Sequence, residues 1–228
     1  FQRIFCYTGF KGVCGRMTKF YFVRHGQTET NLARRFNGGR TDTPLTPAGR
    51  AGAEAVGRYF ATTGFAGIYA SPMPRAQTTA ELIVAQSKVA QPAIVTVRDL
   101  REVDLGDWDG QPLASVQDDP QIDNYYHHLA EFDYKRIGAE SFAEALNRGR
   151  RAIAGIYQQH PDGKVLVVAH GLLGMLLMST YLGAELDDAR DEMTMPPNNS
   201  ISELDTDDGE QFTRGTLWAF VPSEHQTK

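Results

Sequence analysis

The stretch Lys19–Asn31, KFYFVRHGQTETN, opens as a strand and closes as a chemical site. Phe20-Tyr21-Phe22-Val23 is apolar, aromatic and β-branched, the composition of a buried strand. The run stops at Arg24-His25-Gly26. In an open α/β sheet, ligands lie beyond the carboxyl ends of the strands, so a cation and an imidazole there face the usual binding crevice. Gly26 lets the backbone turn. Arg24 offers a planar fork of donors for phosphate or carboxylate, and His25 can act as nucleophile, proton shuttle or metal ligand. A surface Arg-His pair is the competing reading of the triplet taken alone.

A second stretch repeats that ending. Lys164–Ala169 is almost wholly apolar, as a strand in the middle of a parallel sheet should be, and it stops at His170-Gly171. Leu172–Leu182 predicts an apolar helix packed on the sheet. With both strands central and parallel, His25 and His170 emerge on the same edge. Between them, Thr46 as N-cap and Pro47 at the first helical position predict a helix to about Thr63, with Ala51, Ala55, Val56, Tyr59 and Phe60 on its apolar face. Gly67–Ala70 predicts a strand. Ser71 as cap and Pro72 as opener then predict a helix through Ala85, which puts Arg75 on its first turn. A cation there opposes the helix dipole, so a bound anion between them would account for it. A solvated surface arginine is the alternative. Ile94–Val97 reads as a third strand.

The intervening loops carry polar candidates. In Gln27–Gly39, Asn31 can give an amide donor to an anion and Asn37-Gly38 can bring backbone donors close to it, unless this is an ordinary loop. Around Leu100–Gly110, five acidic residues fall within about eleven positions beside Trp108. One of these carboxyls can donate a proton if it is partly desolvated near the crevice; otherwise the loop is simply solvated. Pro112–Gly138 lacks a clean period and reads as an irregular, partly helical cap. Its adjacent His127 and His128 would diverge on a helix, which argues against a joint metal site. Glu140–His160 predicts a long helix burying Phe142, Leu146, Ile153 and Ile156-Tyr157, with Arg148, Arg150 and Arg151 on a wet or salt-bridged side. Strands through Ile201–Leu204 and Thr216–Phe220, joined by the turn Asp207-Asp208-Gly209, close the chain.

The totals fit one α/β domain. With 228 residues, 41% of them hydrophobic, the chain can bury a full core, and the order of elements predicts a three-layer αβα sandwich. The sheet would be mostly parallel, the domain would span residues 17–228, and the helical cap about 111–138. A net charge of −5 gives no general attraction to nucleic acid or to anionic membrane, so any anion site must be made locally. No run of eighteen apolar residues exists, against a membrane span. Cys6 and Cys14 lie in a segment that is neither a signal peptide nor a metal motif, and the first methionine is Met17. Residues 1–16 therefore read as a disordered upstream or vector-derived extension, a redox pair being the alternative. The cysteine-free remainder suits a cytoplasmic protein.

Five separated pieces are RHGQTETN (Arg24–Asn31), PLTPAG (Pro44–Gly49), SPMPRAQTTAELI (Ser71–Ile83), LREVDLGDWDG (Leu100–Gly110) and VVAHG (Val167–Gly171). Together they resemble the histidine phosphatase superfamily, the phosphoglycerate mutase-like fold, from Thr18 to about Phe220. The resemblance implies that His25 is a nucleophile forming a phosphohistidine, with Arg24, Arg75 and His170 around the phosphoryl oxygens and Asn31 adding a donor. It implies that Glu102 protonates the leaving oxygen and then takes a proton from water. Asn37, Gly38 and Gly171 are expected to border the substrate. No metal and no cofactor are implied. The expected partner is a small phosphorylated metabolite, with no nucleic acid and no membrane, and a homodimer is compatible with the sequence.

LREVDLGDWDG resembles the phosphatase branch, whose L-x-E is followed by G-x-W-E-G, although Asp109 stands where glutamate is usual. The chain lacks the Glu-Arg-His-Tyr-Gly element of mutases, and Glu102 to His170 is short for a mutase cap. The expectation is thus a metal-independent phosphomonoesterase, with selectivity set by the cap and by Trp108, Tyr125 and Tyr126. The alternatives are a 2,3-bisphosphoglycerate-dependent mutase, a non-catalytic phosphate-binding module, and a metallohydrolase built on His25, His170 and a carboxylate.

Overall fold

The computed structural model describes residues 16–223. The expected extension at residues 1–16 lies outside the described residues apart from Arg16. A six-stranded sheet runs through the middle in the order β3-β2-β4-β1-β5-β6. Its strands are β1 (Thr18–Arg24), β2 (Gly67–Ala70), β3 (Ile94–Thr96), β4 (Gly163–Ala169), β5 (Ile201–Thr206) and β6 (Thr213–Arg214). The first four pair in parallel with one another, whereas β5 runs antiparallel to β1 and β6 antiparallel to β5.

Side chains alternate across the sheet, so each central strand feeds two cores. Phe20, Phe22, Val165 and Val167 face one side, where they meet α5 (Phe142–Gln159) and α6 (Gly171–Tyr181). Tyr21, Val23, Leu166 and Val168 face the other, against α2 (Pro47–Tyr59) and α3 (Pro74–Ala85). This is the expected αβα sandwich. β1 and β4 are apolar on both faces because both faces are covered. Helix α6 has no wet side: it is buried almost from end to end between the sheet and α5. The shorter helices α1 (Glu29–Leu32), α4 (Ile122–His127) and α7 (Ala189–Glu192) sit in the connections at the carboxyl edge of the parallel strands. Among the described residues no helix is long and apolar enough to cross a membrane.

Several boundaries differ from expectation for local reasons. Thr46 caps α2 by accepting from Gly49 N (3.0 Å), as expected, but the helix ends at Tyr59 and the chain reaches Thr63 through tighter turns. Ser71 does not cap α3. That helix starts at Pro74, and the Ser71 hydroxyl is engaged by a tertiary partner, His170. β3 stops at Thr96, one residue short. Thr216–Phe220 is not a continuous strand: Ala219 takes a left-handed φ of 48°, and Thr216 spends its N–H and hydroxyl on the Glu203 carboxylate. Only Phe220 bridges back to Ile201, and β6 forms earlier, at Thr213–Arg214. Pro112–Gly138 is irregular as expected, a series of single 3-10 turns around the short α4.

Candidate active site

β1 and β4 pair in parallel with Arg24 opposite Ala169, so His25 and His170 leave the sheet side by side. Their ring centroids are 5.3 Å apart. Both are buried, at 1% and 2% exposure. The tautomer of His25 is fixed from two sides. Nδ1 lies 2.8 Å from the Gly26 carbonyl, which can only accept, so Nδ1 carries the proton. Nε2 lies 3.2 Å from Arg75 Nε, which can only donate, so Nε2 keeps its lone pair. Burial, and then the charges of Arg75 and Arg24, hold the His25 pKa well below its ordinary value. The imidazole is therefore neutral, with a free nitrogen pointing at a guanidinium. His170 is held low in the same way, by burial and then by Arg75 and His25. Its Nε2 is 2.6 Å from Ser71 Oγ, and its buried Nδ1 has no hydrogen-bond partner among the described residues.

Arg75 stands at the opening turn of α3, 1% exposed, with every N–H used. Nη1 donates to Thr41 O (2.6 Å) and to Asp42 Oδ1 (2.9 Å). Nη2 donates to Asn37 O (3.2 Å) and Gly38 O (3.0 Å). The fork is thus an anchor, and one N–H, on Nε, is aimed at the reacting nitrogen of His25. Arg24 is held by a single Nη1 bond to Pro196 O (2.6 Å), while its buried Nε has no partner among the described residues. Gly171 is what permits this: a Cβ there would stand 3.0 Å from Arg24 Cζ and 2.7 Å from Met195 Sδ.

Glu102, 5% exposed, reaches the same edge from the 100–110 loop. Its Oε1 accepts from Val103 N and Leu173 N, both at 2.9 Å, and Oε2 from Leu172 N at 3.0 Å. It closes the open N-terminus of α6, where main-chain N–H groups lack partners within the helix. Oε2, with one donor, has a lone pair to spare for a proton. The loop itself hangs on Arg148, whose Nη2 donates to Glu102 O (3.1 Å) and Nη1 to Arg101 O (2.6 Å) and Asp99 O (2.8 Å). Arg148 is accordingly on a salt-bridged side of α5, but a buried one.

A cavity of about 400 Å³ opens over these groups. Arg24, Asn31, Asn37, Glu102 and Gly171 line it, whereas the buried His25, His170 and Arg75 are not among its lining residues. Asn31 uses its Oδ1 on Thr28 N and Oγ1, both 3.1 Å, in the capping box of α1, and its amide nitrogen makes no bond among the described residues. Asn37 lines the cavity, but the Gly38 expectation is corrected: Gly38 does not line it, and its N–H donates to Asp109 Oδ1 (2.6 Å). Both residues turn their carbonyls to Arg75. Asp109 also accepts from Arg40 N (3.0 Å) and Leu105 N (3.3 Å), clamping the loop that anchors Arg75. Burial raises its pKa. Trp108 is likewise not at the cavity: it is buried among Phe36, Tyr125 and Phe132, whereas Tyr125 and Tyr126 do line the wall. His127 and His128 face different carboxylates, Asp191 and Asp123, each at 3.8 Å.

Three site residues escaped the sequence reading: Ser71, Arg190 and Asn198. Asn198 Nδ2 donates to His25 O (3.0 Å) and Asn31 Oδ1 (3.3 Å), tying the two loops together. A signal for it existed. β5 is antiparallel to β1 with Ile201 opposite Val23, so the residues just before β5 must lie beside Arg24 and His25.

The description of the histidine phosphatase superfamily (branch 1) matches residues 20–217. The chain is similar to "Uncharacterized phosphatase PhoE" of Bacillus subtilis (strain 168), 32% identical over 169 residues, 74% of this chain and 80% of that protein. It is also similar to "Probable phosphoglycerate mutase GpmB" of Salmonella paratyphi A, 30% identical over 199 residues, 87% of this chain and 90% of that one. The solved structure titled "Bacillus stearothermophilus YhfR" superposes with a TM-score of 0.79 at 29% identity, covering 90% of this chain and 98% of that chain.

Proposed function

We propose, for a chain that belongs to the histidine phosphatase superfamily, that it hydrolyses small phosphate monoesters without a metal through a phosphohistidine on His25. The observation that carries this reading is the His25 Nε2 lone pair, locked in one tautomer and faced by the Nε–H of a buried arginine. A neutral imidazole nitrogen attacks phosphorus while the P–O bond to the leaving group breaks, and Glu102 Oε2 gives that oxygen its proton. A water then attacks phosphorus, Glu102 takes the proton, and the P–N bond breaks to return the lone pair to Nε2. Charge building on the equatorial oxygens is met by Arg24 Nε, Arg75 Nε and a proton on His170 Nδ1. These donors are fixed before the reaction, which is the form of stabilisation that matters most in phosphoryl transfer.

One relative is named as a phosphatase and another as a probable mutase, and a mutase differs only in where the phosphoryl goes. A mutase returns it to a second hydroxyl of the same substrate; a phosphatase gives it to water. Incubation with 3-phosphoglycerate separates the two, free phosphate being expected here and 2-phosphoglycerate without phosphate release counting for the mutase. The phosphohistidine is tested by quenching in strong alkali, where the P–N bond survives, after mixing with a phosphate ester. Wild-type protein retains phosphate and folded His25→Ala does not; turnover by the alanine variant would overturn the assignment.

A further inference from the structure

The cavity carries more positive charge than a phosphoryl group needs. Arg24, Arg34, Arg35 and Arg190 line it against one carboxylate, Glu102, which already accepts from three main-chain N–H groups. Arg190 is the unusual one. It projects from α7 into the wall, with its Cζ 4.3 Å from the Tyr125 ring centroid and 5.2 Å from that of Tyr126. Its Nε and Nη2 are buried, and neither has a hydrogen-bond partner among the described residues. Beside it stands the Tyr125 hydroxyl, a neutral group that burial keeps protonated.

Nε and Nη2 form one edge of a guanidinium, with parallel N–H bonds matched to the two oxygens of an oxyanion. This protein shows that edge in use elsewhere. Arg148 grips Glu140 through Nε to Oε1 (2.7 Å) and Nη2 to Oε2 (2.8 Å). Arg190 carries the same edge, buried and with no acceptor among the described residues, and the rings of Tyr125 and Tyr126 hold the plane in place by cation–π contact. Buried charged donors without an acceptor are costly, which makes a ligand oxyanion at that position strongly favourable. Phe36, Leu105, Leu113 and Met195 give the wall an apolar portion beside the amides of Asn31, Asn37 and Asn198, which suits a compact carbon body between two charged ends.

We propose that Arg190 is a specificity-determining residue that grips a second oxyanion, a carboxylate or a further phosphoryl group, on the non-reacting end of the substrate. The substrate class is then small phosphomonoesters with two anionic ends. This inference rests on the phosphatase reading above for its turnover arm, but not for its binding arm.

The turnover arm compares kcat/KM in two matched pairs: 3-phosphoglycerate against glycerol 3-phosphate, and fructose 1,6-bisphosphate against fructose 6-phosphate. Wild-type protein should prefer the doubly anionic member of at least one pair by about tenfold or more, and that pair identifies the oxyanion. Arg190→Gln should reduce this preference on the order of ten- to a hundredfold, the worth of one or two charge-assisted hydrogen bonds. Arg190→Lys, which keeps charge but not the fork, should recover part of it; a thermal melt of each variant confirms folding. The binding arm measures the same four compounds on folded His25→Ala protein by calorimetry, with and without Arg190→Gln. Hydrolysis in both pairs with a preference that Arg190→Gln leaves unchanged overturns the assignment and spares the phosphatase. Tighter, Arg190-dependent binding of a doubly anionic compound without any hydrolysis by wild type does the reverse. No preference in either arm also overturns it.

Discussion

Replacing Arg148 by methionine keeps the aliphatic stem and removes every donor. At 3% exposure the guanidinium has no water to fall back on, so its five contacts are the whole of its solvation. The change leaves the main-chain carbonyls of Asp99, Arg101 and Glu102 without this donor, and leaves the Glu140 carboxylate with only Arg101 Nη2 (3.2 Å) as a charged partner. Breaking a buried ion pair from one side costs roughly 3–5 kcal/mol, and each buried acceptor left unpaired costs about 1–3 kcal/mol. These losses overlap, because one loop relaxes for all of them, so the expected total is about 3–5 kcal/mol rather than their sum. For a domain of this size that lowers the Tm by roughly 6–20 °C.

Urea unfolding followed by the fluorescence of buried Trp108, which packs under the same loop, measures the change directly. The slope should hold while the midpoint falls. Adding Glu140→Gln to Arg148→Met should restore part of the loss, since the orphaned charge is then gone. Because Glu102 is the last residue of the suspended loop, kcat should fall further than the stability change implies, by about a hundredfold for a displacement near 1 Å, at temperatures where the variant is folded. A destabilisation under about 1 kcal/mol would refute the reasoning, because it would mean the three carbonyls find water or other donors without Arg148.

Other outcomes follow from the same packing. Nitrogen-detected NMR should find His25 and His170 neutral from pH 8 down past 6.5, where the unfolded chain would protonate them. With their folded pKa values depressed, the unfolded state binds more protons below about pH 6.5. Stability should therefore be full above that pH and fall with acidification by up to about 1.4 kcal/mol per pH unit per histidine, until the folded-state values are reached; a proton uptake by folded protein near pH 6.5 contradicts this. Gly171→Ala should place a methyl group 3.0 Å from Arg24 Cζ and 2.7 Å from Met195 Sδ. Arg24 must then move off its Pro196 carbonyl, so kcat/KM on any phosphate ester should drop at least tenfold with little change in melting temperature, and equal activity would show that Arg24 has room the packing does not suggest.

What could be read in the sequence was whatever a segment hides from water. Phe20–Val23 of β1 and Val165–Ala169 of β4 are apolar on every residue because both faces of the sheet are covered, and the two His-Gly endings mark where that cover stops. From there the shared edge of His25 and His170 follows, as does Arg75 on the first turn of α3. Ser71 misled because a hydroxyl after a strand can serve either a helix N-terminus or a tertiary neighbour, and only the fold brings His170 within 2.6 Å. Thr216–Phe220 misled because a β-rich composition cannot report that a buried carboxylate, Glu203, competes for the backbone donors.

The contacts that stayed hidden share a physical cause. Arg148 binds the carbonyls of three residues in the 99–102 loop, Asn198 binds the carbonyl of His25, Arg24 is steadied by the carbonyl of Pro196, and Arg75 is anchored by those of Thr41, Asn37 and Gly38. Every residue has a carbonyl, so the partner of each bond leaves no trace in the choice of amino acid. Arg190 is hidden for the opposite reason, since its Nε and Nη2 meet no acceptor among the described residues. A side chain in the first group can be assigned a structural task once its carbonyl is located. One with no matching group among the described residues points outward, to the chemistry of what the cavity holds.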